Sequence, residues 1–263
     1  MADTGGRIVV ITGGASGIGH AAARRFASAG DFVVIADLSE GSAQEVVKEL
    51  QAAGGRGAFQ RLDVADAAAI RSAAEAIESR HGPVEVLINS AGILQSATPL
   101  EQFEDEEHDR IWVVNYRGTY LCCRYFGVRM AKRRSGAIVN IASTSGIMHL
   151  PMLAYGPGKA AVISLTGSLG VELGRRGVRV NAVAPGPVLT PIQQRNIQAG
   201  TRDPQRMAAG TAMNRWVKPE EIAEGLFFLA SPAASAITGV TLPIDCGLLP
   251  GVGWAMVGGI PRD

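Results

Sequence analysis

Residues 7–29 read RIVVITGGASGIGHAAARRFASA. Arg7 to Thr12 is a short β-branched run without polar alternation, the pattern of a strand buried on both faces of a parallel sheet. A glycine-rich turn, Gly13 to Gly19, follows at once, and Ala21 to Ala29 is a good helix former. Strand, glycine turn and helix in that order are the context that a dinucleotide-phosphate site requires. The glycines let the backbone turn tightly and approach a pyrophosphate, while the helix N-terminus offers unpaired N–H groups and a positive dipole end. The spacing here is G-x-x-x-G-x-G, with Gly13, Gly17 and Gly19 at its fixed positions. The plainer alternative is a turn that only packs helix on strand.

Working outward, Phe32 to Asp37 (FVVIAD) is a second apolar strand that ends in a carboxylate. An acidic residue about 20 residues beyond the turn is placed to accept hydrogen bonds from the adenosine ribose. Asp37 would repel a 2′-phosphate, and no Lys or Arg stands between Gly13 and Gly19 or at Leu38 and Ser39 to receive one. This favours NAD over NADP. Asp37 can also cap a helix over Ser39 to Ala53. Gly57 to Leu62 is a third strand, followed by Asp63 and Val64, where a carboxylate and a backbone group can hold the adenine. Ala65 to His81 reads as a helix. Val84 to Asn89 is the fourth strand, and the small residues of Asn89-Ser90-Ala91-Gly92 permit close cofactor approach.

Asp105 to Met130 reads as one long helix, with Asn115 on an otherwise apolar face. Burying that amide unpaired costs about 1–3 kcal/mol, so it either caps a local kink or holds a water near the site. Gly136 to Ala142 is the fifth strand and delivers Ser143 at its C-terminal end, the edge where open α/β sheets gather their sites. Val178 to Ala184 is the sixth strand, leading into Pro185-Gly186-Pro187-Val188-Leu189-Thr190-Pro191. The stretch 190–216 has weak periodicity and reads as a mobile lid or as an ordinary surface helix pair. Pro219 to Leu229 is a helix, and Gly239 to Ile244 is a seventh strand. Regular alternation of strand and helix, with no repeat or linker, predicts α/β architecture. One domain over 1–263 would hold a Rossmann-like, doubly wound fold, with a mostly seven-stranded parallel sheet flanked by helices.

Tyr155 and Lys159 stand at i and i+4, on one face of a helix that starts near Leu153 to Gly156, with Pro157 tolerated in its first turn. Free phenol and ammonium have pKa values of about 10 and 10.4. A fixed positive charge close by favours phenolate, and bringing the phenol to about 7 takes about 4 kcal/mol at 1.36 kcal/mol per unit. Such a pair can serve as a proton donor and acceptor at a hydroxyl. Standing alone, Y-x-x-x-K is common as a surface pair; Ser143 and the strand edge give it company.

Composition excludes several other classes. Lys plus Arg number 25 and Asp plus Glu 24, for a net charge of +1 over 263 residues, so no basic stripe points to nucleic acid. The three cysteines, Cys122, Cys123 and Cys246, form neither a disulfide framework nor a metal-ligand spacing. The most apolar late stretch, Gly225 to Ile244, is broken at Ser231-Pro232 and falls short of a membrane span. With a polar N-terminus, the expectation is a cytoplasmic protein without membrane or nucleic-acid partners.

In this order, from about Arg7 to Gly247, the motifs resemble those of the classical short-chain dehydrogenase/reductase family. They are T-G-x-x-x-G-x-G at Thr12 to Gly19, Asp63, N-S-A-G at Asn89 to Gly92, Asn115, Ser143, Y-x-x-x-K at 155–159 and P-G-P-V-x-T at Pro185 to Thr190. Ser90 departs from the pattern, which has a second asparagine there. The resemblance implies Tyr155 as general acid/base and Lys159 as its modulator and ribose ligand. It implies Ser143 as hydrogen-bond partner of the substrate oxygen, with Ser145 the lesser candidate, and Asn115 as anchor of a proton-relay water. It places cofactor contacts at Gly13, Ser16, Gly17, Ile18, Gly19, Asp37, Leu38, Asp63, Val64, Asn89, Ala91, Gly92, Pro185, Gly186, Val188 and Thr190, and at Tyr155 and Lys159 themselves. A homotetramer joined through the helices carrying Asn115 and Tyr155 follows from the same resemblance. The implied reaction passes hydride between NAD(H) and a secondary alcohol or ketone. Its rivals are an NADPH-dependent carbonyl or 3-oxoacyl reductase and a non-catalytic dinucleotide sensor. The substrate wall is expected from Ile93, Leu94, His149, Leu150, Met152, Pro187, Ile192, Met207 and Met213, mostly apolar. The tail 248–263 is expected at a subunit interface.

Overall fold

A computed structural model of the chain describes residues 6–95, 97–254 and 259. Seven parallel strands are ordered β3-β2-β1-β4-β5-β6-β7: β1 (Ile8–Thr12), β2 (Phe32–Asp37), β3 (Arg56–Arg61), β4 (Val84–Asn89), β5 (Gly136–Ile141), β6 (Val178–Pro185) and β7 (Thr241–Ile244). Between them run α1 (Gly17–Ser28), α2 (Glu40–Ala52), α3 (Ala67–His81), α4 (Asp105–Trp112), α5 (Gly118–Arg133), α6 (Tyr155–Gly174), α7 (Pro191–Gln198), α8 (Pro204–Ala209), α9 (Pro219–Ala230) and the short α10 (Leu248–Gly251). The sheet is the expected one, and each strand starts or ends within two residues of its reading.

Period-two alternation on β1 explains why the sheet is covered on both faces. Val9 and Ile11 join Phe26 of α1 and Leu226 of α9 in one core, while Ile8 and Val10 join Phe126 and Met130 of α5 in the other. Every residue of β1 is buried. The chain leaves β3 at the sheet edge and returns as β4 beside β1, so a topological switch falls between β1 and β4. Open sheets of this kind bind ligands outside the carboxyl ends of the strands at such a switch.

One ion pair pins this half from below. Arg7 grips the buried Asp31 with two nitrogens, Nε to Oδ1 at 3.0 Å and Nη2 to Oδ2 at 2.7 Å, and donates to the Ala230 carbonyl at 2.8 Å. Its guanidinium also lies 5.7 Å and 5.6 Å from the Phe26 and Phe227 ring centroids.

The expected helix from Asp105 to Met130 is interrupted. A π-turn over Val113–Arg117 separates α4 from α5, with Asn115 fully buried at its middle. A π-bulge inserts one residue and swings the following side chains, a device common at functional sites. The stretch 190–216 folds as the two short helices α7 and α8. Of the expected C-terminal tail, residues 255–258 and 260–263 lie outside the described residues.

Candidate active site

The turn after β1 has the backbone conformation its glycines anticipate. Gly13 and Gly17 sit at φ 65° and 54°, the left-handed region that side chains avoid. A Cβ on Gly13 would fall 2.7 Å from Ala91 Cα, so the turn packs directly on the loop after β4. That contact is fastened by Thr12, whose hydroxyl oxygen accepts the N–H groups of Ser90 and Ala91, each at 3.1 Å. Ser16 caps α1 without a side-chain hydrogen bond, and no acidic residue stands in the first turn. The leading N–H groups of α1 are therefore open to an anion with no internal competitor, which is what a pyrophosphate requires.

Asp37 closes the far end of this cradle. Its Oδ2 accepts the Ala15 N–H at 3.0 Å and its Oδ1 the Ser39 N–H at 2.9 Å. The carboxylate thus holds the glycine turn while keeping lone pairs for a ribose hydroxyl. Leu38 is exposed beside it, and Ser39, not Asp37, occupies the N-cap of α2. Asp63 turns its Oδ1 onto the Ala65 N–H at 2.8 Å and sets Val64, which is buried, against Gly118. From the other side the loop after β6 arches over: a Cβ on Gly17 would stand 3.5 Å from Thr190 Cγ2, and Thr144 donates to the Pro185 carbonyl at 3.2 Å. Gly186 packs against Asp245 and Val188 is buried. Residues from β1, β2, β4 and β6 therefore meet at one sheet edge, and they form a cradle of the shape and polarity that a nicotinamide dinucleotide fits.

The candidate catalytic residues gather at the same edge. Ser143 leaves β5 in extended conformation, donates to the Ser145 hydroxyl at 3.2 Å, and hydrogen-bonds the Tyr155 phenol. Ser145 stands one hydroxyl further away, so Ser143 is the serine at the tyrosine. Tyr155 is the first residue of α6, and Lys159 lies one turn on, buried, its Nζ 5.5 Å from the Tyr155 ring centroid and donating to the Ile141 carbonyl at 2.7 Å. Burial pushes the phenol up to about 12, opposed by the Ser143 hydrogen bond, and burial lowers the Lys159 ammonium to about 8. The expected lowering of the tyrosine pKa by Lys159 is therefore not produced by these side chains: desolvation of the phenolate outweighs it, and the ammonium is aimed at a carbonyl.

Asn115 uses both ends of its amide on the loop after β4. Its Oδ1 accepts the Ile93 N–H at 2.8 Å and its Nδ2 donates to the Ile93 carbonyl at 2.9 Å, stapling the π-turn to the loop after β4. Gly92 lies between Asn115 and Lys159: a Cβ there would be 3.1 Å from Asn115 Oδ1 and 3.9 Å from Lys159 Nζ.

Some contacts around the site escaped the sequence reading. Beneath the site, Asn89 donates to Asn140 at 2.8 Å and to Cys123 Sγ at 3.3 Å, and Asn140 donates to Thr166 of α6 at 3.0 Å. This polar chain joins the strand under the cofactor edge to the helix of Tyr155. Gln95 and Arg61 also approach the site. A polar residue in an apolar strand or beside a glycine turn was the available signal for Thr12 and Asn140; no local pattern marks the other two.

Comparison with known proteins agrees with this fold. A family model described as enoyl-(acyl carrier protein) reductase matches residues 13–249. The D-threitol dehydrogenase of Mycolicibacterium smegmatis is 37% identical over 245 residues, covering 92% of each chain. The chain belongs to the short-chain dehydrogenase/reductase family. It is an oxidoreductase of CH–OH donors using a nicotinamide dinucleotide. The galactitol 2-dehydrogenase of Rhizobium johnstonii is 38% identical, covering 92% of this chain and 95% of its own. Among solved structures, a protein of Brucella melitensis 16M described as ribose-5-phosphate isomerase superposes with a TM-score of 0.93 at 44% identity, covering 98% of both chains. Actinorhodin polyketide ketoreductase with NADPH superposes at 0.88 with 32% identity, covering 94% of this chain and 99% of its own.

Proposed function

We propose that this oxidoreductase uses NAD and acts on a secondary alcohol or the corresponding ketone, with Tyr155 as its general acid/base. The observation that carries the reading is the convergence of Ser143, Tyr155 and Lys159 at the sheet edge where the glycine turn and Asp37 also lie. A nicotinamide dinucleotide, when bound, supplies the hydride acceptor or donor. Ser143 holds the substrate oxygen against Tyr155, which takes the hydroxyl proton in oxidation and returns it in reduction. Lys159, with the Asn115 region behind it, positions the ribose, and the Ser143 hydrogen bond lowers the cost of the phenolate.

A phenol held at about 12 by burial is protonated near neutral pH, the form that an acid needs for ketone reduction. Alcohol oxidation needs the phenolate, whose fraction grows as pH rises. Oxidation is therefore expected to accelerate with pH across the alkaline range, while reduction persists to lower pH. Initial rates in both directions across pH check this; an oxidation rate that falls from pH 7 to 9 would sink the assignment.

Asp37 supports NAD, because a 2′-phosphate would lie beside its carboxylate. A second reading, NADPH with a carbonyl substrate, draws on Arg61. It is the register partner of Asp37 on β3, and its Nη1 reaches the Leu38 carbonyl at 3.3 Å. Fluorescence titration with NADH and NADPH separates the two. NADH is expected to bind more tightly, and Asp37→Ala to narrow the gap by about tenfold, the worth of one charge-assisted hydrogen bond. Equal preference in both proteins removes Asp37 as the determinant.

For the substrate, D-threitol, galactitol, cyclic, aromatic, sterol and 3-hydroxyacyl alcohols form the panel, read by NADH absorbance with Tyr155→Phe alongside. The variant is expected to lose about 10²–10⁴-fold in rate. An aldose–ketose isomerase moves a proton between adjacent carbons and has no task for a dinucleotide cradle, so D-ribose 5-phosphate is expected to stay unreacted. The enzyme is further proposed to be a homotetramer of single-domain chains. Exposed apolar side chains on α5 and α6, Tyr120, Val128 and Val171, support it, and light scattering tests it. A cytoplasmic location suits the free thiols Cys122, Cys123 and Cys246. Among the described residues no helix is long and apolar enough to cross a membrane.

A further inference from the structure

The helix that presents Tyr155 starts poorly by its own sequence. Its N-cap is Ala154, which has no side-chain acceptor, and its first turn is Tyr155-Gly156-Pro157-Gly158. Two glycines and a proline hold a helix weakly, and four leading N–H groups need acceptors from elsewhere. Gly156 finds the Met152 carbonyl at 3.1 Å, Gly158 finds that of Ala154 at 2.9 Å, and Pro157 has no N–H to place. The remaining pair, Ala154 N–H and Tyr155 N–H, both donate to Gln95 Oε1, at 2.9 Å and 3.0 Å.

Gln95 is distant in sequence and 2% exposed. Only the oxygen of an amide can meet two N–H donors, so its orientation is fixed. That orientation leaves Nε2 buried without a partner among the described residues, an unmet donor that a native structure retains only for a reason. A glutamate would serve both N–H groups with no orphaned donor. It would also bury a negative charge at the backbone of Tyr155 and oppose phenolate formation. A neutral acceptor avoids that. The other end of the loop is anchored too, since Ile93, two residues earlier, is held through both N–H and C=O by Asn115.

We infer that Gln95 is a positioning residue for Tyr155, capping its helix from the loop after β4 and so tying the phenol to the part of the site held by Asn115. The inference rests on the acid/base reading of Tyr155 above. Its test uses the full-length enzyme in both directions, with NAD and whichever panel alcohol is oxidised fastest, and with NADH and the corresponding ketone. Gln95→Met keeps the size and loses the acceptor; Gln95→Glu keeps the acceptor and adds a charge.

Gln95→Met is expected to lower kcat by about 10- to 100-fold at every pH, the effect of a misplaced reacting group, with NADH affinity by fluorescence within about twofold of wild type. Gln95→Glu is expected to keep kcat for ketone reduction within about threefold of wild type while lowering kcat for alcohol oxidation near neutral pH by about tenfold. Wild-type kcat in both directions in Gln95→Met would overturn the inference, as would a Gln95→Glu reduction rate as low as that of Gln95→Met. If Gln95→Met fails to fold, the Gln95→Glu oxidation rate decides: lowered with reduction intact supports the inference, unchanged overturns it. Tyr155→Phe runs in the same assay. Its survival removes the acid/base reading itself, whereas an inactive Tyr155→Phe beside an unaltered Gln95→Met removes only the role of Gln95.

Discussion

Two regions of the site are built on opposite terms. All of β1 is buried and the turn after it is set by backbone contacts, whereas α7 and α8, which follow Thr190, bury no residue at all. At the first, function lies in main-chain N–H groups and in the absence of Cβ atoms. At the second, side chains such as Ile192, and Met213 just beyond α8, stand exposed. A dinucleotide is the same molecule in every enzyme that uses it, so a rigid cradle suits it. Substrates differ, and a loosely held surface can vary without disturbing the sheet.

The largest expected effect is at Gly13. Any side chain there meets both a left-handed backbone, φ 65°, and the Ala91 backbone at 2.7 Å. Strain and overlap together amount to about 2–6 kcal/mol. Gly13→Val is therefore expected to abolish measurable NADH binding, by fluorescence titration, or to unfold the protein. Tight NADH binding by a folded Gly13→Val would break the contrast, because the turn would then not be rigid. Next comes the ion pair beneath the same half. Arg7→Met leaves Asp31, 6% exposed at its side chain, without its cation. Breaking a buried pair costs about 3–5 kcal/mol. Since the Arg7 side chain is itself 26% exposed, the low end, about 3 kcal/mol, is expected in urea unfolding. A change below about 0.5 kcal/mol, ordinary for a surface site, would show that this half is not pinned there.

The same contrast governs what the chain reveals before its structure is known. Strands such as Val9-Val10-Ile11 announce themselves because both faces are buried, so periodicity and composition agree. The glycine turn and Asp37 are legible because each depends on local order: strand, turn, helix, strand, carboxylate. Asn115 is legible as a buried amide in an apolar face, but its partner Ile93 is not, since the π-turn that aims it breaks the helical period. Gln95 is invisible in the sequence for a related reason, and Asn140 shows there only as a polar residue in an apolar strand. Their partners, Tyr155 and Thr166, are brought to them only by the sheet order. The tyrosine pKa misled because the sequence shows the ammonium one turn away and not the desolvation that outweighs it.

The smallest expected effect lies in the exposed region, and it sharpens the comparison by its smallness. Ile192 opens α7 and is 40% exposed; trimming it to alanine leaves no cavity in a core. Surface changes of this kind stay within about 0.5 kcal/mol of wild-type stability. If Ile192 meets the substrate, losing a few methylenes from an apolar wall changes kcat/KM by about 10- to 200-fold at most, and partial exposure places the effect near the lower bound. NADH affinity should not move, because no backbone donor of the cradle is touched. Ile192→Ala is therefore expected to keep its unfolding midpoint and NADH affinity while lowering kcat/KM for bulky apolar alcohols more than for D-threitol. A uniform loss across all alcohols, with NADH affinity falling in parallel, would mean that α7 braces the cradle through Thr190 and Gly17. The two regions would then be one mechanical unit.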